Sequence, residues 1–253
     1  MITDLYFYLA AIPAVIIVGL SKGGFAGLGV LGVPILALVV SPVQAASILM
    51  PILLVQDAVS VWNFRRALDV GTLKLMLPGA VIGITAGFLL AAYVKVAAVE
   101  LAIGVVALAF GAQRLWASRA ITLAVKDGPH PWVGFVCAVV SGFTSQIAHA
   151  GGPPFQVYAL SKRFPRDVFI GTSVVFFATV NWLKVPAYFA LGQFTRENLL
   201  TSLALVPVAI ASTLFGTWVV RRVSTDRFFT IVYILLLLLG AKLAWDGAQN
   251  LLS

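Results

Sequence analysis

The chain alternates long apolar runs with short polar links. Val168–Leu191, Leu199–Val220 and Phe228–Trp245 reach the length of about 20 residues that crosses a hydrocarbon layer, and runs at 44–62, 75–94 and 99–115 come close to it. The pattern predicts an all-α polytopic membrane protein.

Two places break it. After Leu5–Leu20 comes the glycine-rich stretch "GLSKGGFAGLGVLGVP", and then an apolar run of only Val30–Val40. After Val133–Gly142 comes the polar stretch "TSQIAHAGGPP", and then Phe155–Leu160. Neither short run can cross alone, so each pair is expected to form a broken or re-entrant hairpin. Irregular backbone at membrane depth leaves N–H and C=O groups that lipid cannot satisfy, so such breaks face protein or a watery cavity. Glycine lets the chain turn and lets a ligand approach the backbone. A helix that restarts after the break offers free N–H donors with partial positive charge, a setting for an anion.

Composition agrees with membrane insertion, because 61% of the residues are hydrophobic and only 10% are charged, against about a quarter charged in a soluble domain. The net charge of +8 lies in short clusters between apolar runs, which argues for membrane orientation and against nucleic acid. The clusters are Arg65, Arg66 and Lys74 with Asp69; Arg114, Arg119 and Lys126 with Asp127; Lys162, Arg163 and Arg166 with Asp167; and Arg221, Arg222 and Arg227 with Asp226. The positive-inside rule puts all four in the cytoplasm and both termini outside. No basic leader or small-residue cleavage site marks the first apolar run, so it is expected to remain. Cys137, the single cysteine, reads as a small core hydrophobe and allows no internal disulfide.

An internal repeat is visible at a shift of 129 residues, which superposes Pro78 on Pro207, Ala80 on Ala209, Gly87 on Gly216, Leu108 on Leu237, Gly111 on Gly240 and Trp116 on Trp245. With short gaps, Pro34 falls on Pro154, Ser47 on Thr172 and Gln56 on Asn181. The halves are 1–116 and 131–253, joined by a cytoplasmic linker 117–130, each with about five hydrophobic segments. The charge clusters orient the two halves oppositely. Two inverted repeats are an architecture of secondary transporters.

The candidate site consists of polar residues within apolar segments. Lys22 is an ionisable group at membrane depth and by default a functional one; the other reading is that it ends a short helix and snorkels to the interface. Asp57 either relays protons or pairs with Lys22. Lys184 has apolar neighbours on both sides and reads as a pore-facing cation. His149 is either a proton switch or a structural hydrogen-bonder to freed backbone. Gln56 and Asn181 offer amides to a ligand from matched positions, or merely link helices. Gly23, Gly24, Gly151 and Gly152 bring main chain to the site. Ser47, Ser145, Gln146, Thr172, Thr144 and Ser173 are weaker candidates, because hydroxyl and amide residues are common in helix contacts.

The stretches "GLSKGGFAGLGVLGVPILAL", "SGFTSQIAHAGGPPFQVYAL" and "FIGTSVVFFATVNWLKVPAYFALG" resemble the TauE/SafE sulfite-exporter family along essentially the whole chain. The resemblance implies transport of small anions, typically sulfur oxyanions, organosulfonates and related organic acids, across the bacterial cytoplasmic membrane. The family's first break usually reads G-x-G-G-G before a proline, whereas this one carries a lysine.

An intramembrane enzyme is disfavoured: there is no H-E-x-x-H motif, only two histidines (His130 and His149), and no intramembrane aspartate pair. A channel with a glycine-rich re-entrant filter is the nearer rival, together with proton-coupled uptake of the same anions through Asp57 and His149. No cofactor or metal is expected. The partners expected are a small anion and the bilayer, with room left for a homo-oligomer.

Overall fold

The computed structural model describes residues 1–24, 28–91, 93, 97–98, 101–102, 104–105, 107–109, 112, 130–220, 222 and 226–252. Residues 117–129 of the expected linker between the halves, the cluster from Arg114 to Asp127, and the repeat positions Gly111 and Trp116 lie outside these residues. Helix is the only regular structure among the described residues. Among the described residues, the α-helices whose limits are defined are, in chain order, α1 (Leu5–Lys22), α2 (Gly32–Leu36), α3 (Pro42–Phe64), α4 (Val70–Ala91), α5 (Pro131–Ala148), α6 (Gly152–Ser161), α7 (Arg166–Ala190), α8 (Arg196–Val220) and α9 (Asp226–Leu252).

Local chemistry sets their starts. Asp4 accepts from the Tyr6 N–H at 3.0 Å and caps α1. Ser41 accepts from Gln44 N–H at 3.2 Å, and Pro42 opens α3, where its missing N–H costs nothing. Asp69 accepts from Thr72 N–H at 2.7 Å and caps α4. The Thr72 side chain, and after it that N–H, hold the Asp69 carboxyl below the usual carboxylate range.

Among the described residues six helices, α1, α3, α4, α5, α7 and α8, are long and apolar enough to cross a membrane. Their outward side chains are apolar too: Leu9, Trp62, Trp132, Trp182, Phe215 and Trp218 are exposed. In water such a surface would aggregate, whereas in lipid it is the natural boundary. The chain is a multi-pass membrane protein. Trp62 at the end of α3 and Trp218 near the end of α8 lie under guanidinium groups, Arg65 at 4.0 Å and Arg222 at 4.4 Å from the ring centroids. Such pairs suit the boundary between lipid and water.

Both breaks are present, with limits other than the sequence predicts. In the first, α1 runs on to Lys22, and Gly24 takes φ 126°, a conformation open to glycine and strained for other residues. A 3-10 turn at Leu28–Leu31 leads into α2 of five residues, so the expected Val30–Val40 segment is two short pieces. In the second, helix continues through "TSQIA" to Ala148, and the break narrows to His149–Gly151. The polar run stays helical because Thr144 Oγ1 donates to Val140 O at 2.8 Å, keeping its hydroxyl within the helix. The stop comes at His149, whose left-handed φ of 51° caps α5. Helices of 5 and 10 residues, α2 and α6, span about 7 and 15 Å of a hydrocarbon layer near 30 Å thick.

The packing ties the two ends of the sequence together. α1 lies along α8 in parallel: the Ile2 N–H donates to Thr201 at 3.0 Å, Gly19 faces Ser212, and Gly23 faces Gly216. α4 lies along α5 in the same sense, with Gly79 on Phe135 and Ala138, Gly83 on Val139 and Gly87 on Gln146. At Gly83 the backbones are so close that a methyl group would collide with the Val139 carbonyl. α3 and α7 run antiparallel, meeting through Ser47 and Gln193, Asp57 and Asn181, and Phe64 and Gly171. The core is split accordingly: one cluster joins α1, α2, α3 and α8, and another joins α4 to α7.

Candidate functional site

Two groups of polar side chains meet in the interior. On one side Lys22, the last residue of α1, places Nζ 2.5 Å from Asp57 Oδ1 on α3. Asn181 on α7 donates to the other carboxylate oxygen at 2.6 Å. The Lys22 carbonyl accepts from Ser60 Oγ at 2.9 Å, which ties the frayed end of α1 to α3. Asp57 is 1% exposed, and its two oxygens each hold a donor, as a buried carboxylate requires.

On the other side Lys184 of α7 is fully buried. Its Nζ lies 3.1 Å from both Ser145 O and Ser145 Oγ, and 2.8 Å from His149 Nδ1. All three neighbours can accept, which is the pattern an ammonium needs. His149 Nε2 is 2.9 Å from Ala46 O, which can only accept, so that nitrogen carries the ring proton and Nδ1 takes the bond from Lys184. Tyr188 stacks on the imidazole with ring centroids 5.9 Å apart and donates to Gln146 O at 3.3 Å. No carboxylate lies within hydrogen-bond reach of Lys184 among the described residues.

Between the groups is a cavity of about 80 Å³, as swept by the centre of a water-sized sphere. About 10–15 Å³ on that measure admits one water, so there is room for a small anion or several waters. Its walls include both breaks, Gly29 and Val30 from the first and His149 and Gly152 from the second. Phe177 adds a ring whose centroid is 5.7 Å from Lys22 Nζ.

Of the residues that the sequence singles out, Lys22, Ser145, His149, Gly152, Asn181 and Ser173 line this cavity, with Asp57 and Lys184 directly behind them. The others go elsewhere. Gln56 donates to Val15 O at 3.2 Å and links α3 to α1. Ser47 bonds Val43 O at 2.7 Å and reaches Gln193, away from the cavity. Thr172 accepts the Asp69 N–H at 2.9 Å, at the α3–α4 corner. Gln146 packs on Gly87, Gly23 on Gly216, and Gly151 accepts from Ser141 Oγ at 2.7 Å. Gly24 packs against Val220 and Ile170.

Gln156 is a cavity residue that sequence reasoning passed over. It is 3% exposed, and its Oε1 has no hydrogen-bond partner. A signal was present: it is a lone amide in the apolar run "FQVYAL", four residues after Gly152 and so on the same helical face. Ser21 and Phe155 also line the cavity, next to residues that the sequence did single out.

Residues 11–243 match the model of the family described as Sulfite exporter TauE/SafE. The chain belongs to the TauE/SafE family. That makes it one of a family of membrane transporters, and the match runs from within α1 into α9, taking in both breaks and every cavity residue named above. No curated protein and no solved structure matches the chain. The TauE/SafE match therefore rests on the sequence pattern of the family as a whole.

Proposed function

We propose that this protein is a secondary transporter of small anions, sulfur oxyanions or organosulfonates and related organic acids, working as an exporter from the bacterial cytoplasm by alternating access. The observation that carries this reading is Lys184, wholly buried and without a carboxylate partner among the described residues, beside a small cavity. A lone buried cation is costly unless a counter-charge reaches it. The cavity is where an anion would supply one, held by Lys22, Asn181 and Ser145.

The alternating-access part rests on reading residues 1–116 and 131–253 as inverted repeats. In that reading α3 corresponds to α7, and the two run antiparallel through the Asp57–Asn181 contact. The packing of α1 on α8 reciprocates that of α5 on α4, which is what exchange of the halves by a two-fold axis would produce. The orientation that goes with it puts both termini outside.

Energetics favour export. One elementary charge crossing 100 mV is worth about 2.3 kcal/mol, so a monoanion leaving a negative cytoplasm gains that much per 100 mV. Uptake would need a coupled cation, and the groups nearest the cavity for carrying a proton are His149, Lys184 and Asp57.

The test is a thermal-shift and binding screen of the purified full chain against sulfite, sulfate, thiosulfate, methanesulfonate and carboxylates, followed by counterflow in proteoliposomes. A bound anion, saturable counterflow and their loss in Lys184→Met are expected. Absence of any anion binding, or unchanged affinity in Lys184→Met, would reject the site, and conductance at channel rates would favour a pore.

A further inference from the structure

The anion-transport reading leaves open the form in which the anion is held, and the cavity bears on it. The charged and titratable groups facing the cavity, or directly behind it, are Lys22 from α1, Asp57 from α3, His149 at the end of α5, and Lys184 and Tyr188 from α7. Lys22 and Asp57 cancel. With Lys184 as an ammonium and the imidazole neutral, the Lys184–His149 pair contributes one positive charge. One negative charge neutralises the enclosure, whereas two would leave an excess anion beside the buried Asp57 carboxylate.

The hydrogen-bonding inventory gives an independent indication. Donors are present on the Lys22 and Asn181 side. At the second break, α6 opens with Gly152-Pro153-Pro154, so the two prolines remove N–H groups that a helix start would otherwise offer. The polar group there is the Gln156 amide, buried and lining the cavity, with no partner for its carbonyl oxygen. A buried acceptor without a donor is costly. Rotation about the last side-chain bond, a broad torsion, is the movement that would bring that carbonyl to a bound anion.

We propose that Gln156 reads the protonation state of the transported anion: the cavity takes singly charged anions, and where such an anion keeps one O–H the Gln156 carbonyl accepts it, to the exclusion of the fully ionised dianion. This rests on the anion-transport reading. It makes Gln156 a specificity residue that pairs with the substrate's acidic hydrogen, opposite the donors that hold its charged oxygens.

The experiment is calorimetric titration of the purified full chain with sulfite and with methanesulfonate, across the pH range in which sulfite loses its second proton. Methanesulfonate is singly charged throughout and has no O–H. Sulfite affinity is expected to fall roughly tenfold per pH unit once the hydrogen-bearing form is the minor one, because only that fraction is competent, while methanesulfonate affinity stays level. Gln156→Met, which keeps the shape and removes the amide, should weaken sulfite about tenfold at the acid end and leave methanesulfonate unchanged. Sulfite affinity that holds or rises with pH overturns the proposal. So does a parallel fall for both anions, which would place the titration in the protein. The wild-type pH series decides the matter even if the variant does not fold. If wild type binds neither anion at any pH, the anion-transport reading itself fails, which distinguishes that outcome from loss of selectivity alone.

Discussion

Asn181 on α7 donates its side-chain amide to Asp57 on α3 at 2.6 Å, at the place where these two antiparallel helices cross. With Lys22 on the other oxygen, the Asp57 carboxylate pins three helices, α1, α3 and α7, at one point. Removing the carboxylate leaves the Lys22 ammonium, only 13% exposed, without its counter-charge. Asp57→Leu is therefore expected to destabilise the protein by about 3–5 kcal/mol, and the double variant Lys22→Met with Asp57→Leu to recover most of that. Unfolding midpoints of the four proteins in detergent check the cycle; additive losses would show that the pair is not coupled.

Gly83 sets how closely α4 approaches α5. Gly83→Ala puts a methyl group against the Val139 carbonyl and should cost about 1–3 kcal/mol. Gly71→Ala, whose new methyl group would have Asp69 Oδ1 as its nearest neighbour at 3.5 Å, should be close to neutral. The comparison of melting temperatures tests whether close backbone approach, and not glycine loss in general, controls this seam.

His149 has a left-handed backbone at φ 51°. Asparagine tolerates that conformation and valine does not, so His149→Val should be less stable than His149→Asn by about 1–2 kcal/mol. Both lose the imidazole acceptor for Lys184, so anion affinity should drop in both. Equal melting temperatures would mean that the break relaxes freely.

Asp69 gives a pH signature outside the membrane. Its carboxyl is held below its ordinary range by the Thr72 side chain and N–H. A depressed folded-state pKa adds stability above the unfolded pKa, and that stability disappears as pH falls through the folded value. Asp69→Asn keeps a capping oxygen and should flatten this acid limb, while Asp69→Ala should lose about 1 kcal/mol of cap at neutral pH as well. Stability measured from neutral pH down into the acid range distinguishes the two.

Much of this was legible in the sequence because lipid imposes simple rules. Apolar runs mark the spans, and glycine with proline marks the breaks, whose walls meet at one cavity. The Lys22–Asp57 contact that the sequence allowed is present. Direction of side chains was not legible. Gln56 and Asn181 look equivalent in sequence, yet one holds α1 backbone and the other a carboxylate, because that depends on how α3 and α7 cross. The pairing of Lys184 with Ser145 and His149 depends likewise on contact between α5 and α7. Polarity also misled at "TSQIA", since the Thr144 hydroxyl bonds back to Val140 O and the polar run stays helical.

The partnership of α1 with α8 bears on how the protein is made. The Ile2–Thr201 bond bridges 199 positions, so α1 has to wait in the bilayer for a mate that leaves the ribosome some 199 residues later. Its small-residue face at Gly19 and Gly23 stays uncovered until α8 has been made. Chains truncated before residue 196 should therefore be targets for membrane quality control, and co-expressed fragments split in the 117–129 stretch should rescue one another only when both are inserted.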